Sequence, residues 1–286
     1  MKRIKIIIIV FFLLLLMTII TILLIEKANS KLSVQDSFKG KIIDLDPEST
    51  IYFEDIGLDD FTCTGISFDL KDNAFWIADY GKKNNNDNLK PRLIEINDKF
   101  NKTIRVVELN DIVPSNANLQ GIAYNYKNDS ILCATGKYII EIDKEGNVLN
   151  KIFLKKYNKL SANGITYDMN TNDFYVLFYS KYLLKYDIRG NVLEKYKMNY
   201  TNQDHLYYNI TNKKIYVSIG ADYNGNNNFV LQYDIKNSSK QLYRTKKSYA
   251  IEGIYINNNK LYVLNDGFYH SAKIKKSYIN IYNIKE

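Results

Sequence analysis

The chain has 286 residues, 39 Lys and Arg against 31 Asp and Glu, a net charge of +8, two cysteines, three prolines and 25 tyrosines. Two cysteines exclude a disulfide-built scaffold, and a Tyr- and Asn-rich, proline-poor composition points to an all-β body with many polar turns. Without Lys2, Arg3, Lys5, Lys27 and Glu26 the counts become 35 and 30, a surplus near +5 with no dense basic cluster, which argues against a nucleic-acid partner.

Residues 1–30 read as a separate segment. Lys2, Arg3 and Lys5 precede twenty uncharged residues, Ile6 to Ile25, closed by Glu26-Lys27. Twenty helical residues at about 1.5 Å each span roughly the 30 Å of a bilayer's hydrocarbon core. The run exceeds the roughly 7 to 15 apolar residues of a cleaved signal peptide, so a transmembrane anchor is expected. A signal segment removed near Ala28-Asn29-Ser30, leaving a secreted body, is the alternative. Basic residues before the run predict a single-pass protein of the cell membrane with residues 31–286 outside.

The body is repetitive. In the stretch Ser161 to Met198, Gly164-Ile165-Thr166-Tyr167-Asp168 opens a short strand and Phe174 to Tyr179 makes an apolar one. Tyr182 to Asp187 makes a third strand, and Arg189-Gly190-Asn191 turns into a fourth, Val192 to Lys197. The opening recurs at Gly65, Gly121, His205 and Gly253, with spacings of 56, 43, 41 and 48 residues. Four strands repeating every forty-odd residues is the pattern of β-propeller blades. The fifth repeat stops after its third strand, while Ser49 to Glu54 has fourth-strand texture and precedes the first repeat. A five-bladed propeller over 31–286, closed by an N-terminal strand, is therefore predicted, with a sixth irregular blade as the alternative. Lys41 to Leu45 reads as a further strand or a covering arm. Cys63 and Cys133 read as two buried thiols, with a disulfide the alternative.

Blade connectivity places the residue before each opening glycine at one mouth of the central channel. Those residues are Thr64, Gln120, Asn163, Asp204 and Glu252, all with a side-chain oxygen. Two carboxylates among five oxygen-bearing side chains suit a hard cation, and calcium is the expected ion. Polar solvation of the channel mouth is the plainer reading of the same residues. On the same face the loop after the second strand is short in two repeats and expanded in three, at Gly81 to Pro91, Gly220 to Asn228 and Gly267 to Ser277. Each expansion begins beside an acid, which makes Asp79, Asp222 and Asp266, together with His205, candidates for contacting a ligand. Asn-rich loops without a binding role are the rival reading. His205 stands where the other repeats carry glycine, and His270 lies in a lysine-rich loop.

The Gly-Ile-x-Tyr openings, the Asp-x-x-Gly-Asn-Val-Leu turns of Asp143 to Leu149 and Asp187 to Leu193, and Ile251-Glu252-Gly253-Ile254 resemble the SdiA-regulated family, a distant relation of NHL-repeat proteins. The resemblance covers roughly residues 50–286. It implies a five-bladed propeller with bound calcium, often behind an N-terminal membrane segment, and no established activity. Only Glu252 matches the family's Glu-Gly-Ile motif. More loosely, Glu252, Asn163 and Asp204 resemble the axial ligands of senescence-marker and gluconolactonase propellers, implying a metal-dependent lactonase or esterase with His205 or Asp266 as proton carrier. No Gly-x-Ser-x-Gly, zinc spacing or phosphate loop is present. The expected function is a calcium-containing ligand-binding, sensory or interaction module, taking a small molecule, glycan or protein on its loop face, with the hydrolase as the alternative.

Overall fold

The computed structural model describes residues 14–18, 38–59, 61–81, 90–109, 112–113, 119–155, 161–178, 182–198, 200, 202–220 and 222–284. Most of the expected membrane segment lies outside these residues, apart from a helical turn at 14–18. No helix among the described residues is long and apolar enough to cross a membrane.

Strands β1 (Ile42–Leu45) and β2 (Pro47–Tyr52) lead into a 3-10 turn at Phe53–Ile56. Blade 1 is β3 (Cys63–Asp69), β4 (Ala74–Asp79), β5 (Arg92–Asn97) and β6 (Thr103–Glu108). Blade 2 is β7 (Ile122–Asn125), β8 (Ser130–Thr135), β9 (Tyr138–Ile142) and β10 (Val148–Phe153). Blade 3 is β11 (Ala162–Asp168), β12 (Asp173–Phe178), β13 (Tyr182–Tyr186) and β14 (Val192–Lys197). Blade 4 is β15 (Gln203–Asn209), β16 (Lys214–Ile219), β17 (Phe229–Asp234) and β18 (Lys240–Thr245). Blade 5 contributes β19 (Ile251–Asn257), β20 (Lys260–Asp266) and β21 (Ser277–Asn283).

The sheets have the orders β3-β4-β5-β6, β10-β9-β8-β7, β11-β12-β13-β14, β1-β18-β17-β16-β15 and β19-β20-β21-β2. There are thus five blades and not six, and β2 closes the ring antiparallel to β21, with Tyr52 opposite Tyr278. The Thr50 hydroxyl donates to Asn280 Oδ1 at 2.7 Å across that seam. β1 adds a parallel fifth strand to the outer edge of blade 4, Ile42 opposite Leu242. This one arm covers the outer edge of blade 4 and completes blade 5, so that the last blade does not end at β21.

The core lies between blades. Trp76 and Leu93 of blade 1 pack on Ile122 and Ile140 of blade 2. Leu132 and Ile152 meet Phe174 and Tyr186, and Leu177 meets Leu206 and Leu231. Val230 and Tyr243 meet Ile254 and Val263. The ring closes where Tyr255 and Leu264 of blade 5 meet Phe53, Phe68 and Phe75. Cys63 and Cys133 are separate buried thiols within this packing.

Local chemistry explains the repeat. Four of the five opening motifs end in an Asp or Asn whose side chain closes the next turn: Asp69 Oδ1 accepts from Lys71 and Asp72, Asn125 from Lys127, Asp168 from Asn170 and Asn209 from Thr211. The opening glycines are required by the approach of the next blade. A Cβ on Gly121 would sit 2.7 Å from the Asn163 carbonyl, and one on Gly164 would sit 2.9 Å from His205 Cα.

Candidate functional site

The channel mouth is built by bulges. The inner strands β3, β11, β15 and β19 each slip register at their first residues, between Cys63 and Gly65, Ala162 and Gly164, Gln203 and Leu206, and Ile251 and Ile254. Thr64, Asn163, Asp204 and Glu252 lie inside those slips, where a bulge re-aims the side chain. Gln120 precedes β7, half-buried, its N–H donating to the Ala134 carbonyl at 3.2 Å.

The five predicted ligands do not act alike. The Thr64 hydroxyl donates to the Leu119 carbonyl at 3.1 Å, tying blade 1 to blade 2. The Asn163 side chain hydrogen-bonds Asp204. Asp204 and Glu252 wall a cavity of about 150 Å³ with Asn202, Tyr223, Ile251 and His270. The cavity sits over the joint of blades 4 and 5, off the centre of the ring.

Burial dominates the electrostatics. It pushes Asp204 up to about 7 against the Asn163 hydrogen bond. It raises Glu252 well above the usual carboxylate range, reinforced first by the charge of Asp204 and then by that of Asp266. Glu252 is only 8% exposed and accepts no hydrogen bond from the described residues. The nearest cationic or donor group is His270 Nε2, 3.4 Å from Glu252 Oε1. Burial also holds His270 below its ordinary value, which makes it a neutral neighbour.

The expanded loops are stitched into one roof. The Tyr223 and His270 rings stack at 4.6 Å and 11°, joining the loops of blades 4 and 5. Lys273 N donates to the Tyr223 carbonyl at 2.8 Å, and Tyr269 meets Tyr80 of blade 1 edge-on at 5.7 Å. Residues 82–89 of the blade 1 loop lie outside the described residues.

The acids expected to face a ligand mostly hold these loops. Asp79 Oδ2 accepts from Arg92 Nε at 2.8 Å and Nη2 at 2.6 Å, while its other oxygen accepts from Thr62 and Gly81. Asp222 closes its own turn, accepting from Gly225 and Asn227. Asp266 is buried, accepts from Tyr269 N at 3.1 Å, and is pushed up to about 7 by desolvation. His205 lies within the interface of blades 4 and 5, its Nδ1 accepting from Ile254 N at 3.4 Å, and burial drives it down to about 3. An imidazole thus stands where the neighbouring blades permit only glycine, directly below the cavity's carboxylates.

Sequence reasoning missed Tyr223 and His270 as walls of the site. The available signal was position: both lie in expansions on the face that carries Glu252.

A second acidic group sits elsewhere. Asp69, Asp72 and Glu95 offer ligand oxygens within 4.8 Å of one another, the one such triple among the described Asp, Glu, His and Cys residues. Lys144 Nζ already lies 2.6 Å from Asp69, 2.7 Å from Asp72 and 2.6 Å from Asp129, and Arg105 Nε lies 3.2 Å from Glu95. With Lys144 and Arg105 already paired to its carboxylates, this cluster is a structural network tying blade 1 to blade 2.

Fold and site define a five-bladed β-propeller with an acidic, aromatic-walled cavity between the expanded loops of blades 4 and 5. No family model matches the chain, and no curated protein matches its sequence. Among solved structures it is similar to a chain of the nidogen/laminin complex, at 12% identity, covering 71% of this chain and 72% of that one, with a TM-score of 0.49. A protein of unknown function from Bacteroides caccae matches at 12% identity, 73% and 72% coverage and a TM-score of 0.48. The RRP9 WD40 repeats match at 13% identity, 78% and 63% coverage and a TM-score of 0.47. At such scores the fold rests on the strand pairing itself.

Proposed function

We propose that the chain is a ligand-binding or interaction module, displayed outside the cell membrane by residues 1–30, whose ligand enters on the loop face and sets positive charge against Asp204 and Glu252. The observation that carries this reading is a pair of carboxylates, Glu252 buried and Asp204 half-buried, walling an open cavity beside the expanded loops of blades 4 and 5. Two desolvated acids side by side are costly without a proton or a cation, and stability is commonly given up in this way at binding sites. The resemblance to the SdiA-regulated family supports the same architecture, with Glu252-Gly253-Ile254 at the cavity wall.

Calcium is the inorganic candidate, the one that the SdiA-regulated resemblance implies. Glu252 and Asp204 would hold it, with Asn163 beside them and water completing the six to eight oxygens it takes. The donor set is smaller than the ring expected from sequence, because Thr64 gives its hydroxyl to Leu119. Thermal unfolding of the full-length chain with calcium and with chelator tests the ion. A ligand at 100 times its dissociation constant stabilises by about 2.7 kcal/mol, a shift on the order of 5–10 °C for a body of this size. The shift should shrink in Glu252→Gln and Asp204→Asn. Equal melting in calcium and chelator would remove calcium from the reading, and turnover of a lactone would replace the module by a hydrolase.

A further inference from the structure

We propose that the group recognised by this cavity is a small primary ammonium on a short carbon stem. The inference rests on the reading of the cavity as the ligand site and names the chemistry of its occupant.

Three observations carry it. The first is the donor requirement of the walls. Glu252 is nine-tenths buried, lines the cavity and accepts no hydrogen bond from the described residues. Asp204, on blade 4, is hydrogen-bonded by the Asn163 side chain. Neither acid is paired with a Lys or Arg among the described residues, and a primary ammonium brings three N–H donors on one atom with a full positive charge. The second is size. A cavity of about 150 Å³ matches one that holds a benzene-sized molecule, so space for several carbon atoms remains after the charged head is seated. The third is the aromatic wall beside the acids. Tyr223 is braced flat against His270, their planes 11° apart, and Ile251 lines the same cavity. An aromatic face attracts an ammonium, and together with Ile251 it suits methylene groups better than a fully hydrated ion.

A bare divalent ion uses the same walls less well. Among the described residues Asp204, Glu252 and His270 do not bring three ligand atoms within 4.8 Å of one another, and a hard ion needs six to eight oxygens close by. An ammonium needs two or three acceptors at ordinary hydrogen-bond lengths.

The test is calorimetric titration of the full-length chain with n-butylammonium chloride, 1-butanol, tetramethylammonium chloride and calcium chloride as separate probes. Expected is binding of n-butylammonium, with 1-butanol silent and tetramethylammonium at least tenfold weaker for want of N–H donors. Glu252→Gln should weaken n-butylammonium tenfold or more. Tyr223→Leu, which keeps the bulk and removes the ring's polarity, should weaken it several-fold. A thermal melt establishes that each variant folds, and Asp204→Asn supplies the same readout if Glu252→Gln does not fold. Equal binding of tetramethylammonium or 1-butanol would overturn the primary-ammonium assignment. Binding of calcium alone, abolished in Glu252→Gln, would overturn it while leaving the cavity a ligand site. Silence of all four probes against a cooperatively melting wild type would overturn it together with the cationic reading of the cavity.

Discussion

The mouth of the propeller concentrates acids that burial pushes toward their neutral form. Asp204 and Asp266 are pushed up to about 7 and Glu252 is raised well above its ordinary value. Around them stand Asp79, itself raised by burial but paired with Arg92, the thiol of Cys63, and the imidazoles of His205 and His270, both lowered by burial. A carboxyl whose folded value exceeds its unfolded value keeps a proton that the unfolded chain has released. The stability it gives is complete below about pH 4 and is lost as pH rises toward 7. Asp129 acts oppositely: hydrogen bonds from Lys144 and Lys71 outweigh its desolvation and hold it low, so its contribution is lost as pH falls below the carboxylate range. Without ligand, stability is expected to peak at weakly acidic pH and decline toward neutrality. Glu252→Gln should flatten the decline and raise stability at pH 7, because the variant has no buried carboxyl to ionise at that position. Melting temperature followed from pH 4 to pH 8 checks this, and parallel curves for wild type and variant would refute it. At this scale the sequence was legible in part. It placed Glu252 and Asp204 on one face because each precedes a repeat opening, but it could not show that Thr64 would turn to Leu119 or that His205 would be enclosed by the next blade. Those outcomes depend on contacts between repeats, which no single repeat encodes.

The elements were far more legible, because strand period, turn chemistry and repeat spacing all specify the same structure. Asp143 and Asp187 close their turns onto Asn147 and Asn191, with Gly146 and Gly190 at φ 93° and 75°, as the Asp-x-x-Gly-Asn spelling anticipates. Closure was readable from a missing fourth strand at one end and a surplus strand at the other. The parallel docking of β1 was left open between strand and arm, since nothing in Lys41 to Leu45 names blade 4 as its partner. The seam between β2 and β21 carries a prediction. Removing residues 28–38 should be mild, whereas removing residues 28–56 strips β1, β2 and Phe53, exposing the edge of β21 and part of the core between blades 5 and 1. Calorimetry or circular dichroism should then show loss of a single cooperative transition, and a sharp, unshifted melt of the longer deletion would dispose of the closure.

For the molecule as a whole, the sequence reading gives an orientation. Lys2, Arg3 and Lys5 before the apolar run, with one basic residue directly after it, favour an inside N-terminus. Protease added to intact cells is therefore expected to cut the propeller, and cleavage only after lysis would reverse the assignment. The loop roof and the acidic cavity would then meet whatever the surrounding medium supplies.

The arm that runs from β1 into β2 grips blade 4 along its outer edge and blade 5 along its closing seam. These are the two blades whose joint holds the cavity. If residues 1–30 tether the protein, any mechanical load between tether and ligand enters the ring through those two edges before reaching another blade. β1 is held by one neighbour along four residues, whereas β2 is held along its length and pinned by Thr50 to Asn280. Tension entering from residues 1–30 would reach β1 before β2, so the short parallel strand would have to yield before the ring could open.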